Sequence, residues 1–296
     1  DGFLSPQVFA NLLIDNAFLC IAAVGMTFVI LSGGIDLSVG AVIAFTTVLS
    51  ASLVQRHGWS PLAAIPLVLL LGALFGAFMG MLIQRYRLQP FVVTLAGMFL
   101  ARGASYLISV DSIPIDDALY VAIAQFRVPI GAGASLSVGA LIALATVALG
   151  AWLAHCTRFG RSVYALGGSE ASARLMGLPV AATQVKVYAF SGFCSALAGV
   201  VCTFYMLSGY SLHALGLELD AIAAVVIGGT LLAGGSGYVI GTLVGVLILG
   251  VIQTLIVFDG TLSSWWTRIV IGALLLVFCL LQRLLTRRMP ESGADA

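Results

Sequence analysis

Apolar runs of about 20 residues, separated by short polar breaks, occupy almost the whole chain. A run of that length is what an α-helix needs to cross the hydrocarbon core of a bilayer. The pattern predicts an all-α, polytopic transmembrane helical bundle that forms a single domain over residues 1–296. We predict about nine spans, over residues 11–31, 36–54, 62–83, 90–108, 136–155, 187–207, 219–232, 238–258 and 268–285.

The composition supports a membrane protein and excludes a soluble one. Hydrophobic residues make up 61% of the 296 residues and charged residues only 8%, which is too few to cover the surface of a water-soluble domain of this length. No basic cluster is interleaved with aromatic residues, so nothing indicates binding to nucleic acid. The five cysteines and three histidines show no spacing typical of a metal site or a catalytic cluster. We therefore expect no metal site and no enzyme activity.

Lysine and arginine residues concentrate in alternate breaks of the pattern, and acidic residues in the others. Because Lys and Arg are enriched in cytoplasmic loops, residues 156–186 are predicted to be cytoplasmic and residues 109–135 to form the main outward loop. The same scheme predicts one more helix upstream, ten in all, if the protein's N-terminus is cytoplasmic. The inside charges are Arg85, Arg87, Arg158, Arg161, Arg174 and Lys186, and the outside charges are Asp111, Asp116, Asp117, Glu218, Asp220 and Asp259, with Arg56 and Arg127 as exceptions.

The predicted central cytoplasmic loop is the most polar stretch of the chain. Within it, a Gly-Gly-Ser sequence predicts a turn with a helix N-cap, and Glu170 to Met176 predict a short helix that stops at Gly177 and Pro179. Ala173 and Met176 lie three residues apart, and so on one face of that helix. We interpret this helix as the contact for a soluble cytoplasmic partner, with the two side chains as a small apolar knob between flanking charges.

Two glycine-rich features predict how the helices pack. Gly72, Gly76 and Gly80 are spaced by four and line one face of a span, the arrangement that lets two helices approach closely in lipid. Residues 34–37 echo residues 216–220, and each stretch precedes a helix of small residues. An odd number of spans separates the two stretches, so they run in opposite senses, as in the inverted repeats of transporters.

Three long motifs carry a resemblance to a known family. GGIDLSVGA at residues 33–41, RFGRSVYALGGSEASARLMGLP at 158–179 and ELDAIAAVVIGGTLLAGGSG at 218–237 resemble the permease subunits of bacterial ATP-binding-cassette (ABC) importers for monosaccharides, the ribose type. The resemblance covers essentially the whole chain. SIPI at 112–115 and DGTLSSWWTRIVIG at 259–272 are similar to the galactofuranose importer, in which two different permeases are thought to pair.

The resemblance implies a multi-pass protein of the bacterial inner membrane with three partners. A periplasmic sugar-binding protein delivers the sugar, a second permease subunit, expected to be a paralogue, completes the path, and a cytoplasmic ABC ATPase drives transport. The chain has no P-loop sequence, so no cofactor is expected on it, and ATP with Mg²⁺ binds to the ATPase. The resemblance places the coupling to the ATPase on Gly168, Ser169, Glu170, Ala173, Arg174, Met176 and Gly177.

Polar residues in or beside the apolar spans are the candidates for the sugar path, because such groups are costly unless they face protein or water. Asp36 and Asp220 have the alternative role of capping the helices that follow the two repeat stretches. Capping is not available to Asp15, which lies inside its span. The candidates are Asp15, Asn16, Thr94, Tyr106, Glu218 and Asp220.

Two other function classes compete with this interpretation. An ion-coupled secondary transporter of a small polar solute usually keeps an ionisable residue at mid-membrane, and Asp15 is the main candidate here. A membrane-embedded enzyme would need a nucleophile with a base, or a metal site. His57, His155 and His213 are far apart in the sequence, so the enzyme is the weaker alternative.

Overall fold

The chain folds as a bundle of α-helices with two small β-sheets at one end. The computed structural model describes residues 6–131, 133–259 and 265–288. A π-helical segment (Ser52–Arg56) continues α3. The helices in these ranges are α1 (Pro6–Asp15), α2 (Ala17–Leu31), α3 (Val39–Ala51), α4 (Pro61–Tyr86), α5 (Pro90–Ile108), α6 (Ala118–Gln125), α7 (Val138–Cys156), α8 (Arg158–Gly168), α9 (Glu170–Leu175), α10 (Val180–Met206), α11 (Leu217–Ile227), α12 (Val239–Asp259) and α13 (Trp265–Arg288).

The strands all belong to the loops predicted to face outward. β1 (Ile113–Pro114) pairs antiparallel with β4 (Ser208–Gly209), and β2 (Arg127–Gly131) pairs antiparallel with β3 (Ala134–Ser137). The outward loop at 109–135 therefore has structure of its own, including α6.

Six of the described helices are long and apolar enough to cross a bilayer, and α1 with α2 make a seventh if this bent pair is one span. These helices confirm the all-α polytopic fold, while the count of nine spans is not confirmed. The predicted span at 219–232 is wrong in extent, because α11 has 11 residues. At 1.5 Å per residue it is about 16 Å long, roughly half the hydrocarbon core. The predicted turn at 259–264 lies largely outside the described residues. The predicted upstream helix would precede residue 1 and so lies outside them too.

The first predicted span is bent rather than straight. α1 and α2 meet at an angle of 59° at Asn16. The Asn16 side-chain amide donates to the Leu12 carbonyl oxygen (2.9 Å), and a polar side chain inserted at such a break is an ordinary cause of a helix kink. The predicted intramembrane polar pair thus marks the bend.

The longest helix, α10, runs through the centre of the bundle and packs against α2, α3 and α4. The approach to α4 is close because glycines line it on both sides. A Cβ added at Gly76 would overlap the Tyr188 carbonyl oxygen, and one at Gly72 would overlap Ala196 and lie 2.7 Å from the Gly192 carbonyl oxygen. The predicted glycine stripe is therefore confirmed as a helix-packing face.

Contacts between loops sort them onto two ends of the bundle. At one end β1 pairs with β4, with Ile113 opposite Gly209. At the other end the Gly235 amide donates to the Leu31 carbonyl oxygen (2.9 Å), and Gly167 packs against both residues. This grouping matches the predicted sides of these loops. We call the ends outer and inner, following the orientation predicted from the Lys and Arg distribution.

The helices that follow the two predicted repeat stretches start beside each other inside the bundle and then diverge. Gly40, near the start of α3, packs against Glu218 in the first turn of α11. From this meeting point α3 runs to the outer end and α11 to the inner end, so the helices run in opposite senses. Their starts differ, because α11 begins directly after Gly216 (φ +80°), whereas α3 begins five residues after Gly34. The inverted repeat itself stays a prediction.

Candidate functional site

The polar loop at the inner end contains two helices, of which the sequence predicts one. α8 begins after Thr157, whose side-chain oxygen accepts a hydrogen bond from the Gly160 amide (3.2 Å). α9 begins after Ser169, whose side-chain oxygen accepts from the Ser172 amide (3.2 Å). The predicted helix is therefore confirmed with Ser169 as its N-cap. The two glycines predicted to form a turn instead end α8.

The end of α9 also follows the predicted pattern. Gly177 adopts a left-handed conformation (φ +74°) directly after the Met176 C-cap, a conformation that glycine adopts without strain. Along the helix, Glu170 and Arg174 form an exposed i,i+4 ion pair. The two charges thus largely compensate each other across the surface of α9.

The predicted apolar knob on α9, formed by Ala173 and Met176, is wrong for Ala173 only. Ala173 is 1% exposed and packs against Leu166 of α8 and Val180 of α10, so it is not available to a partner. Leu175 is 90% exposed and Met176 is 67% exposed. Ala173 therefore anchors α9 to the chain, and the exposed apolar surface is the pair Leu175 and Met176, which we call the α9 apolar tip.

Two glycines set how closely α8 approaches the inner end of the bundle. A Cβ at Gly160 would overlap backbone carbonyl oxygens of α7, and one at Gly167 would overlap the Leu31 carbonyl oxygen at the end of α2. Neither position has room for a side chain. Gly168, by contrast, is exposed and has no atom within 4 Å of an added Cβ.

Tyr164 makes a further link between α8 and the inner loops. Its hydroxyl donates to the Gly237 carbonyl oxygen (2.7 Å), and its ring stacks on His155 of α7 with centroids 6.0 Å apart. Burial raises the pKa of the Tyr164 hydroxyl above its ordinary value, so the group stays protonated and remains a donor. α8 is thus joined to α2, to α7 and to the loop before α12.

The structure does not bring the six candidate path residues into one site. Asp15 is exposed beside the α1–α2 bend and accepts a hydrogen bond from the Tyr205 hydroxyl (2.9 Å). Asn16 and Thr94 are buried, and each donates to the carbonyl oxygen four residues earlier (2.9 Å). Because their polar groups are satisfied inside the chain, Asn16 and Thr94 are not open to a solute in this structure.

Arg102, which was not among the predicted path residues, organises a polar cluster towards the outer end. Its guanidinium donates to the carbonyl oxygens of Ser211 (2.6 Å) and His213 (2.9 Å), and its charge attracts the Glu218 carboxylate. Tyr106 lies one helical turn after Arg102 on α5. Glu218 Oε2 is buried without a hydrogen-bond partner in the described part of the chain. Two candidate path residues, Tyr106 and Glu218, therefore lie near Arg102. A charged side chain in an apolar span was the signal that could have identified it.

Asp36 and Asp220, the two predicted helix caps, are not the N-cap residues of α3 and α11 in the structure. Asp36 precedes the Ser38 N-cap of α3 by two residues, and its carboxylate accepts from the Ser38 amide (2.9 Å) and from the Ser191 hydroxyl of α10 (2.7 Å). It therefore ties the α2–α3 link to α10. Asp220 lies within the first turn of α11, because the helix begins earlier, after Gly216. Its carboxylate is attracted by Arg268 of α13.

Within the ranges that the structure describes, no group of three or more His, Cys, Asp or Glu side chains is placed to hold a metal ion.

Comparison with known proteins gives consistent results over nearly the whole chain. Residues 8–279 match the family described as branched-chain amino acid transport system / permease component. An inner membrane ABC transporter permease protein of Escherichia coli, YjfF, is 56% identical over 96% of this chain and 86% of its own length. A fructose import permease protein, FruG, of Bifidobacterium longum is 44% identical over 95% and 83%. The ribose import permease protein RbsC of Escherichia coli is 39% identical over 93% and 86%.

No solved structure matches the chain. The apolar helices and the inner-membrane relative agree on a multi-pass protein of the inner membrane. Since the family match and the relatives extend over almost all of its length, the chain belongs to the family of branched-chain amino acid transport system permease components.

Proposed function

We propose that the chain is a transmembrane permease subunit of an ABC importer for monosaccharides. In this role it forms part of the path for a sugar that a periplasmic binding protein delivers, it pairs with a second permease subunit, and a separate cytoplasmic ATPase hydrolyses ATP. The names of the relatives support a monosaccharide as the transported solute, since two of them are import permeases for fructose and ribose. The permease itself is expected to be non-catalytic.

The α9 apolar tip is the observation that carries this proposal. Leu175 and Met176 are large apolar side chains exposed on the loop at the inner end, outside the candidate membrane spans. Exposed apolar patches rimmed by polar groups mark interaction sites, and Glu170 and Arg174 provide such a rim. A soluble ATPase with an apolar groove fits this surface better than lipid does, because the ion pair must stay hydrated.

The contacts of α8 explain how a movement of α9 would reach the spans. Ala173 packs α9 against α8 and α10. α8 in turn packs closely against α2 at Gly167 and against α7 at Gly160. Since close-packed groups transmit displacement rather than absorb it, closure of the ATPase pair on ATP would shift the inner ends of α2 and α7. This is the coupling role that we assign to residues 168–177.

The sugar path is proposed to run along polar groups that are accessible at the surface of the chain. Asp15 and Tyr106 are exposed, and Tyr106 lies one helical turn after Arg102 on α5. A path between two permeases needs groups on the outside of each, which Asn16 and Thr94 do not supply. Asp220 and Glu218 lie in the first turn of α11 and are half-buried, so each still presents part of its side chain to the surface.

Galactofuranose is the sugar that we propose, with a paralogous second permease. Support comes from the resemblance of residues 112–115 and 259–272 to the permease of that importer. Residues 113–114 form β1 at the outer end, where a sugar-loaded binding protein would dock. Titration of the cognate periplasmic protein with a panel of monosaccharides tests the sugar directly, and tighter binding of ribose or fructose than of galactofuranose would contradict it.

The ABC assignment has its own test in co-purification. The tagged chain, expressed with its genomic neighbours and extracted in mild detergent, should retain a soluble ATPase and a second permease in fixed stoichiometry. ATP hydrolysis by this complex should rise when the sugar-loaded binding protein is added. A chain that purifies alone and transports its solute on an ion gradient would instead support the secondary transporter.

A further inference from the structure

A cavity of about 580 Å³ opens at the inner end between α9, α10 and the turn from α4 to α5. Its volume falls within the range of about 300–1,000 Å³ that is usual for small-molecule sites. The side chains that line it include Gln84, Arg87, Glu170, Arg174, Gln184 and Tyr188. We call it the inner cavity.

Three neutral polar groups of the inner cavity have no hydrogen-bond partner within the described part of the chain. They are the side-chain amides of Gln84 and Gln184 and the hydroxyl of Tyr188. Tyr188 is fully buried, and its hydroxyl lies against Gly34, where an added Cβ would overlap it. Buried polar groups in proteins are nearly always paired. An unpaired hydroxyl at the wall of a cavity therefore indicates a ligand that supplies the partner.

The charges of the inner cavity favour a neutral ligand over an anion. Glu170 and Arg174 pair with each other. Arg87 is exposed and makes no ion pair in the described chain, so one hydrated cation at the surface is all that an anion would find. The uncommitted groups deeper in the cavity are amides and a phenol, which both donate and accept hydrogen bonds. Such groups match the hydroxyls of a sugar.

We propose that the inner cavity binds one molecule of monosaccharide from the cytoplasmic side, and that this product slows further import. The inference rests on the proposed function of the chain in monosaccharide import. The cavity is lined on one side by α9 and on the other by α4 and α10. A sugar that bridges them holds α9 in place, and α9 is the element that must move with the ATPase.

Equilibrium binding to the assembled complex in nanodiscs, without the binding protein, tests the site. Tritiated D-galactose, which includes the furanose ring form in water, is expected to bind at one site per copy of this chain. Gln184→Leu and Tyr188→Phe should each weaken binding by about tenfold through loss of one hydrogen bond to the ligand. Gln89→Leu is the matched control, because Gln89 is exposed on the turn between α4 and α5 and does not line the cavity.

The variants also separate ligand binding from a structural role. Because the Tyr188 hydroxyl has no partner in this structure, Tyr188→Phe should leave the thermal midpoint of the complex unchanged or raise it. A lowered midpoint together with unchanged galactose binding would overturn the site. Tighter binding of galactose 6-phosphate than of galactose would contradict the proposal that the ligand is neutral.

Feedback is measured in proteoliposomes that hold ATP inside and binding protein outside. Unlabelled sugar loaded into the lumen should lower the initial uptake rate several-fold, and Gln184→Leu should remove this effect while Gln89→Leu keeps it. Galactose binding to the inner cavity without a lower uptake rate would contradict the proposed feedback. If ATP hydrolysis by the complex responds to the loaded binding protein but the complex binds no galactose, the proposed sugar site in the inner cavity is contradicted. The proposed function of the chain would still stand.

Discussion

Replacement of Leu175 by Asp should detach the ATPase while leaving the permease folded. The side chain is 90% exposed, so the change removes no contact within the chain. In a complex, burial of a leucine contributes about 1.5–3 kcal/mol, which corresponds to about 10- to 150-fold in affinity. A carboxylate forced into an apolar groove adds a further desolvation cost. Leu175→Asp should therefore purify normally without ATPase, and Leu175→Ala should retain a reduced amount.

The contrasting variant is Ala173→Asp, which should fail for a different reason. Ala173 is 1% exposed between Leu166 and Val180, and burial of an unpaired carboxylate there costs on the order of 3 kcal/mol. α9 has six residues, too few for a helix to persist without its packing. Ala173→Asp should therefore unfold α9 locally and open the chain to trypsin at Arg174.

The assay combines ATPase retention on the tagged chain with limited trypsin digestion of the purified permease. Ala182→Asp is the control, since it places the same charge at an exposed position in the first turns of α10. It should keep both the ATPase and trypsin resistance. Full ATPase retention by Leu175→Asp, or trypsin resistance in Ala173→Asp, would refute the division of α9 into an anchor and a tip.

Three further predictions concern packing, orientation and the path. Gly167→Ala should lower both thermal stability and ATP-driven uptake, because its methyl group would overlap the end of α2, whereas Gly168→Ala should keep the wild-type thermal stability, because an added Cβ there meets no atom within 4 Å. In a background without native cysteines, a cysteine at Ser112 should react with an impermeant thiol reagent added outside and one at Ser172 should not; the opposite labelling would reverse the orientation. Asp15→Leu should lower uptake without affecting assembly, and unchanged uptake would return Asp15 to a structural role.

The spans were readable from the sequence because the bilayer imposes both length and composition on them. α5 begins at Pro90 and ends at Ile108, as predicted, since a proline begins the helix and a polar loop follows it. α10 begins at Val180, seven residues before the predicted start of its span. Residues 180–186 include Thr183, Gln184 and Lys186, which lower the hydropathy of this segment but are compatible with a helix.

Features that depend on contacts between distant segments could not be predicted. α8 was missed because its helix is amphipathic and polar, stabilised by packing against α7 rather than by an apolar run. The face of α9 that is buried depends on Leu166 and Val180, which no spacing within six residues can reveal. Likewise, the role of Arg102 follows from carbonyl groups more than a hundred residues away in the chain.

The central claim is that this chain passes a sugar by coupling to ATP hydrolysis through α9. Sugar uptake by the purified complex in proteoliposomes tests it most directly, with binding protein outside and ATP inside. We predict uptake that requires internal ATP, is unaffected by an ionophore, and is abolished by Leu175→Asp. Uptake that continues without ATP and collapses with the ionophore would contradict the claim.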